Sequence, residues 1–245
     1  MIKKFNDLQQ LNTSAAQLFI QAANDAIAKK GNFTVALTGG SSPVGLYQLL
    51  AASPYREQVQ WDQVYVFWGD ERWVPLNDER SNARMAFETL LDHVPISRGH
   101  IFPMWADTVS PEEFARQYEQ ALKLHLGADG IFDLILLGMG ADGHTASWFP
   151  HTAVVHEYDK WVVAYFLKAQ EMHRITLTVP LINRAKQMVV ITYGESKSDA
   201  LYEVLEGARN PEKYPAQLLE PIAGEVIWIV DEAAAAKLSS LEKHQ

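Results

Sequence analysis

Cysteine is absent from the 245-residue chain. That excludes disulfides, thiolate nucleophiles and zinc–sulfur sites. No run approaches the ~18 consecutive apolar residues of a membrane-spanning helix. Two lysines, Lys3 and Lys4, precede no apolar stretch, because Gln9 and Gln10 follow at once. The start therefore does not read as a secretory signal, and a cytoplasmic protein is expected. Basic charge is in short supply: 21 Lys and Arg against 30 Asp and Glu give a formal net charge of −9. This balance argues against nucleic acid and against anionic membranes as partners. It leaves room for a small anionic ligand if a few cations gather at one place. Repeats, low-complexity tracts and Pro/Gly-rich linkers are also missing, so residues 1–245 read as one domain, with no oligomeric state assigned.

What is present is an ordinary globular balance, 48% hydrophobic and 21% charged. Short apolar runs at 33–37, 64–67, 132–137, 161–166, 187–192 and 226–230 read as strands, several apolar on both sides. Amphipathic stretches alternate with them. Residues 11–28 are alanine-rich and helical in pattern. Ser110-Pro111-Glu112-Glu113 opens another helix, with Ser110 as cap, Pro111 in the first turn and Glu113 completing a capping box. Ser42-Pro43 is a similar start for residues 44–50, and Asp231 is expected to cap a short closing helix. Strand–helix alternation of this kind predicts an α/β fold: an open, mostly parallel, doubly wound sheet with helices on both faces. Ligands of such sheets bind beyond the carboxyl ends of the strands.

Three loops in those positions carry unusual residues. Thr38-Gly39-Gly40-Ser41-Ser42-Pro43 combines two glycines, three hydroxyls and a following helix start. It reads as a phosphate cradle built from backbone N–H groups, or as a tight strand-to-helix turn with a serine cap. No Gly-Lys-Ser/Thr ends it, so it is not a Walker loop. Asp70-Glu71-Arg72 crowds three charges at a strand end. Arg72 can fork onto carboxylate or phosphate oxygens, and the alternative is a solvated charged turn. The third loop is Gly138-Met139-Gly140-Ala141-Asp142-Gly143-His144-Thr145-Ala146-Ser147. Its glycines match G-x-G-x-x-G, but Pro150 interrupts the long helix that a dinucleotide site needs. Asp142, two residues from His144, can orient the imidazole and keep it basic. Asp142, His144, His151 and His156 fit no standard zinc spacing, and no G-x-S-x-G elbow suggests a serine triad. Later, Arg174 and Lys197 offer positive charge, with Lys168 a weaker candidate.

Taken in order, these segments resemble the 6-phosphogluconolactonase family. The match runs through Thr38 to Pro43, Gly69-Asp70-Glu71-Arg72 with Val74-Pro75 and Ser81-Asn82, and Leu136 to Ser147. It continues through Arg174-Ile175-Thr176-Leu177-Thr178, Gly194-Glu195-Ser196-Lys197, Pro215-Ala216-Gln217-Leu218 and Trp228-Ile229-Val230-Asp231, nearly end to end. There are departures. Trp148 and His151 stand where the family usually has leucine and glycine, and Lys168-Ala169-Gln170-Glu171-Met172-His173 replaces a proline cluster. The resemblance implies hydrolysis of 6-phosphoglucono-δ-lactone, a small phosphorylated sugar lactone, with no cofactor and no metal. It implies His144 as acid/base, Asp142 as its neighbour and Arg72 as an active-site cation. Thr38, Gly39, Gly40, Ser41, Ser42, Asp70, Gly140, Arg174 and Lys197 would meet the phosphate or the sugar. The related glucosamine-6-phosphate deaminases carry a glutamate five residues beyond the loop histidine, where this chain has Phe149. A non-catalytic sugar-phosphate sensor would need an appended DNA-binding element. The first 30 residues have neither the basic character nor the helix-turn-helix pattern for one.

Overall fold

The computed structural model describes residues 1–239. Six strands form a wholly parallel sheet: β1 (Ile2–Phe5), β2 (Phe33–Leu37), β3 (Val64–Trp68), β5 (Leu134–Gly138), β8 (Gln187–Thr192) and β9 (Glu225–Asp231). Their order is β1-β9-β8-β5-β2-β3. Three more, β4 (Asp70–Arg72), β6 (Val162–Leu167) and β7 (Met172–Leu177), make a small antiparallel sheet in the order β4-β7-β6. The helices are α1 (Leu8–Lys30), α2 (Val44–Ala51), α3 (Asn82–Ala86), α4 (Pro111–Leu126), α5 (Val179–Ile182) and α6 (Ser198–Leu205).

The register explains why both faces of the main sheet are covered. Phe33 pairs with Val64 and Ala36 with Phe67, so Phe33 and Phe67 point to opposite faces of the pleat. Phe19 of α1 meets Phe33 edge-on at 5.4 Å, while Tyr118 of α4 meets Phe67 edge-on at 6.2 Å. α1 and α4 therefore lie on opposite faces. All five residues of β2 are buried, as an interior strand of a doubly covered sheet requires.

Several local expectations need correction. α1 is longer than its pattern suggested: Asp7 accepts from the Gln10 N–H at 2.8 Å, and Gly31 closes it with φ 82°. β1 was not expected; four residues carry too little pattern, and pairing with β9 makes the strand. The run 161–166 is a strand, but it belongs to the antiparallel sheet and is only half-buried. Ser110 caps α4, yet the Glu113 carboxylate turns to Arg116 and Gln117 rather than back to the cap. Ser42 makes no capping bond to α2, whose start is tied by backbone bonds from Val44 N–H to Ser41 O at 3.4 Å and from Tyr47 N–H to Pro43 O at 2.9 Å. Asp231 caps a turn, not a helix: it accepts from Ala234 N–H at 2.8 Å and is shared with Gly194 N–H at 3.0 Å.

The direction in which successive strands are added reverses at β2, which has β3 on one side and β5 on the other. The loops after β2 and β5 thus part around a crevice, the place where open α/β sheets take ligands. Gly69 fastens the small sheet to the edge of that crevice. Its N–H donates to Leu37 O and its carbonyl accepts from Leu177 N–H, both at 2.8 Å.

Candidate active site

A cleft of about 230 Å³ opens at this point. It is lined by Thr38, Gly39, Gly40, Ser41 and Ser42 after β2, Asp70 and Arg72 of β4, and Gly140 and His144 after β5. Arg174 of β7 and Lys197, just before α6, complete the wall. Eleven positions expected from sequence to form a site therefore share one cavity, although they span 160 positions of chain from 38 to 197. Asp142, the twelfth, stands behind His144 and acts on it rather than lining the cleft itself.

The Gly39–Gly40 turn is shaped by its neighbours. Gly40 takes φ 78°, a conformation that suits glycine. A Cβ on Gly39 would lie 1.9 Å from Asn82 Oδ1, so the turn can pack against Asn82 only without a side chain. Asn82 is itself fixed by donating from Nδ2 to Asp70 O at 2.9 Å.

β4 overturns the idea of a solvated charged turn. Glu71 is fully buried, with 0% of its surface exposed. One carboxylate oxygen accepts from the N–H groups of Arg72 and Asn82, both at 2.7 Å. The other accepts from Ala83 N–H at 2.8 Å and Ser81 Oγ at 3.0 Å. Burial pushes this carboxyl up to about 7, against the pull of the three backbone N–H donors. Glu71 thus joins β4 to the start of α3. Its alternating neighbours Asp70 and Arg72 face the cleft, as the period of a strand dictates.

The cations are held loosely by neutral oxygens. Arg72 donates from Nη1 to Arg80 O at 2.8 Å, and Arg174 donates from Nη2 to Gln170 Oε1. Arg174 is only 4% exposed, and burial pulls its guanidinium below the ordinary value while nearby Asp70 works the other way. Asp70 accepts from Ser147 Oγ at 2.6 Å. Ser147 O in turn accepts from Tyr165 OH at 2.6 Å, which ties the cleft floor to β6.

His144 contacts Asp142 through Nδ1, 2.6 Å from Oδ1. Burial raises the Asp142 carboxyl, but the hydrogen bond and charge of His144 outweigh it and hold the group below the usual carboxylate range. The loop that carries the pair is firmly braced rather than loose. Gly140 N–H donates to His144 O at 2.8 Å, and Thr145 Oγ1 donates to Gly138 O at 2.8 Å. On the far side of the imidazole, the Phe149 ring stacks at 4.1 Å with an interplanar angle of 24°.

Some lining residues were not on the expected list: Asn82, Met139, Ala146, Phe149 and Gln170. Asn82 and Phe149 lie within stretches the motifs had drawn attention to. Gln170 lies in the 168–173 stretch that departs from the family pattern but was not singled out, and the β6–β7 hairpin brings it to Arg174. Two of the three family departures, Trp148 and His151, are accommodated within the loop. Trp148 is fully buried and donates Nε1–H to Leu177 O at 2.8 Å, and His151 takes the left-handed φ of 59° that would favour glycine.

The fold and site together define an open, mostly parallel α/β protein whose switch-point cleft sets Arg72, Arg174 and Lys197 beside an aspartate-linked histidine. The sequence matches the family described as glucosamine-6-phosphate isomerases/6-phosphogluconolactonase over residues 6–228, and the chain belongs to that family. It is 42% identical over 217 residues to a 6-phosphogluconolactonase of Synechocystis sp., covering 87% of this chain and 88% of the relative. Among solved structures it resembles a devB protein (TM-score 0.87, 28% identity, 98% of this chain and 100% of that one). It also resembles the 6-phosphogluconolactonase of Trypanosoma brucei (TM-score 0.84, 25% identity, 98% of each chain).

Proposed function

We propose that this chain hydrolyses 6-phospho-D-glucono-1,5-lactone to 6-phospho-D-gluconate, a step of the oxidative pentose phosphate pathway. The observation that carries the reading is the His144–Asp142 pair in one cleft with the Gly39–Gly40 turn, Arg72, Arg174 and Lys197. The similarity to proteins named 6-phosphogluconolactonase supports it.

The chemistry follows from a lactone being an activated ester. With Nδ1 engaged by Asp142, Nε2 of His144 takes a proton from water as the water oxygen bonds to the lactone carbonyl carbon. The carbonyl becomes an oxyanion, and Arg72 or the loop N–H groups are the donors to receive it. The tetrahedral intermediate collapses, the bond from the carbonyl carbon to the ring oxygen breaks, and the imidazolium returns its proton to that oxygen. The phosphate, at the far end of the sugar, is held by the Thr38–Ser42 turn with Arg174 and Lys197. Its binding energy places the carbonyl rather than doing chemistry. Asp142 keeps the imidazole in one tautomer and offsets the charge it gains.

Phe149 weighs against an amino-sugar phosphate deaminase, because a phenyl ring stands where that relay carries a carboxylate. Ammonia release from glucosamine 6-phosphate is expected to be absent. The decisive test is stopped-flow hydrolysis of freshly generated lactone at low spontaneous background. His144→Ala should lower kcat by about 10²–10⁴. Near-normal turnover by that variant would remove His144 from the reaction.

A further inference from the structure

The Phe149 ring has two partners. The His144 imidazole stacks on it at 4.1 Å and 24°, and the Arg174 guanidinium carbon lies 5.4 Å from its centroid. Stacking and cation–π contact both require a flat aromatic face, so neither is supplied by a merely apolar side chain. The ring is also unusually well fixed. On one side, Trp148 is locked into the core by its indole hydrogen bond to Leu177 O at 2.8 Å. On the other, the Phe149 carbonyl accepts from both Thr152 N–H at 3.3 Å and Thr152 Oγ1 at 2.6 Å. The backbone then reverses through Pro150 and the left-handed His151.

The imidazole is meanwhile closed in on its other edges. Asp142 takes Nδ1, and the Gly140 Cα lies so close that a Cβ there would be 2.1 Å from Nδ1 and 2.3 Å from Cε1. One hydrogen bond fixes a point on the ring but leaves it free to rock about that point. A wall against its face removes the rocking and leaves Nε2 as the edge that meets the cleft.

We propose that Phe149 is a positioning residue for His144: its face sets the plane of the imidazole and places the Arg174 guanidinium beside the same ring. The substrate anion and the proton-transferring group are thereby referenced to one rigid side chain. Resting as it does on the lactonase reading, the inference predicts a split in the kinetic constants. Loss of the flat face loosens the angle at which Nε2 meets water and lowers kcat, while the turn and Lys197 keep hold of the phosphate.

The test compares Phe149→Leu with Phe149→Tyr, alongside wild type, on freshly generated 6-phosphogluconolactone. Leucine keeps an apolar filling and should lower kcat about tenfold or more with KM changed less than threefold. Tyrosine keeps the face and should restore kcat to within about threefold. Thermal unfolding checks that each variant folds. Proton NMR of the His144 ring supplies a readout independent of turnover. Its ring protons lie in the shielding cone of Phe149, and they should move downfield in Phe149→Leu and stay in place in Phe149→Tyr. Wild-type kcat in the leucine variant, or unmoved ring protons, would overturn the proposal. A wild-type protein without lactonase activity would instead defeat the functional reading, and the ring-proton shifts would still decide whether the stack exists.

Discussion

Single atoms decide how close the working groups of this cleft come to one another. Gly140 is the sharpest case. An alanine methyl there would stand 2.1 Å from His144 Nδ1 and 2.4 Å from Asp142 Oδ1, well inside contact distance. Both side chains would have to move, and they are the pair that carries the proposed proton transfer. Gly140→Ala is expected to lower kcat about 10–100-fold, since misplacement near 1 Å has that cost. Tm should change by only a few degrees, because the strain falls on a partly open loop. A parallel measurement of kcat and of unfolding temperature separates the two effects. Equal kcat in the variant would mean that the imidazole does not need its present position. Gly39 obeys the same logic against Asn82, where the limit is the approach of a backbone to an amide.

At the level of elements, three residues of strand do what a loop was expected to do. β4 alternates Asp70 and Arg72 toward the cleft with Glu71 toward the core, and Glu71 spends its acceptor capacity on Arg72 N–H and the start of α3. A glutamine amide would point an N–H₂ at donors. Glu71→Gln is therefore expected to cost about 2 kcal/mol, or about 4–8 °C in Tm. Its pH dependence has a definite sign. The folded carboxyl titrates at about 7 against 4.5 ordinarily, so between those values the folded chain holds the proton that the unfolded chain has lost. The stability from this group is full below about 4.5 and is lost as pH rises through about 7. Tm measured across that window should fall more steeply in wild type than in Glu71→Gln. Parallel slopes would show that Glu71 does not titrate there.

Taken as a whole, the molecule is acidic, with a net charge of −9, yet its cleft gathers Arg72, Arg174 and Lys197. An anion site in an acidic protein depends on local concentration of cations rather than on overall charge. Lys197 immediately precedes α6 and lines the cleft. Lys197→Ala should raise KM for the phosphorylated lactone by about tenfold, a loss of roughly 1.4 kcal/mol, and leave kcat nearly unchanged. The same variant should treat a lactone without phosphate as wild type does. An equal loss on both substrates would contradict a phosphate contact. Among the described residues, no helix is long and apolar enough to cross a membrane.

Chemistry that is local in the chain was legible in the sequence. The strands at 33–37 and 187–192, the α4 cap at Ser110 and the three post-strand loops announce themselves through hydrophobic runs, caps and glycines a few residues apart. So does the pairing of Asp142 with His144, two positions away. What the tertiary structure alone decided depends on partners distant in sequence. β1 exists because β9 is there to pair with it, and 161–166 joins the small sheet because β7 folds back on it. Glu71 becomes a buried fastening because Ser81, Asn82 and Ala83 return to it, and Gln170 reaches the cleft only through a hairpin. Hydrophobic periodicity records how each segment meets water. It does not record which other segment will satisfy its hydrogen bonds, and those long-range bonds shape the walls of this cleft.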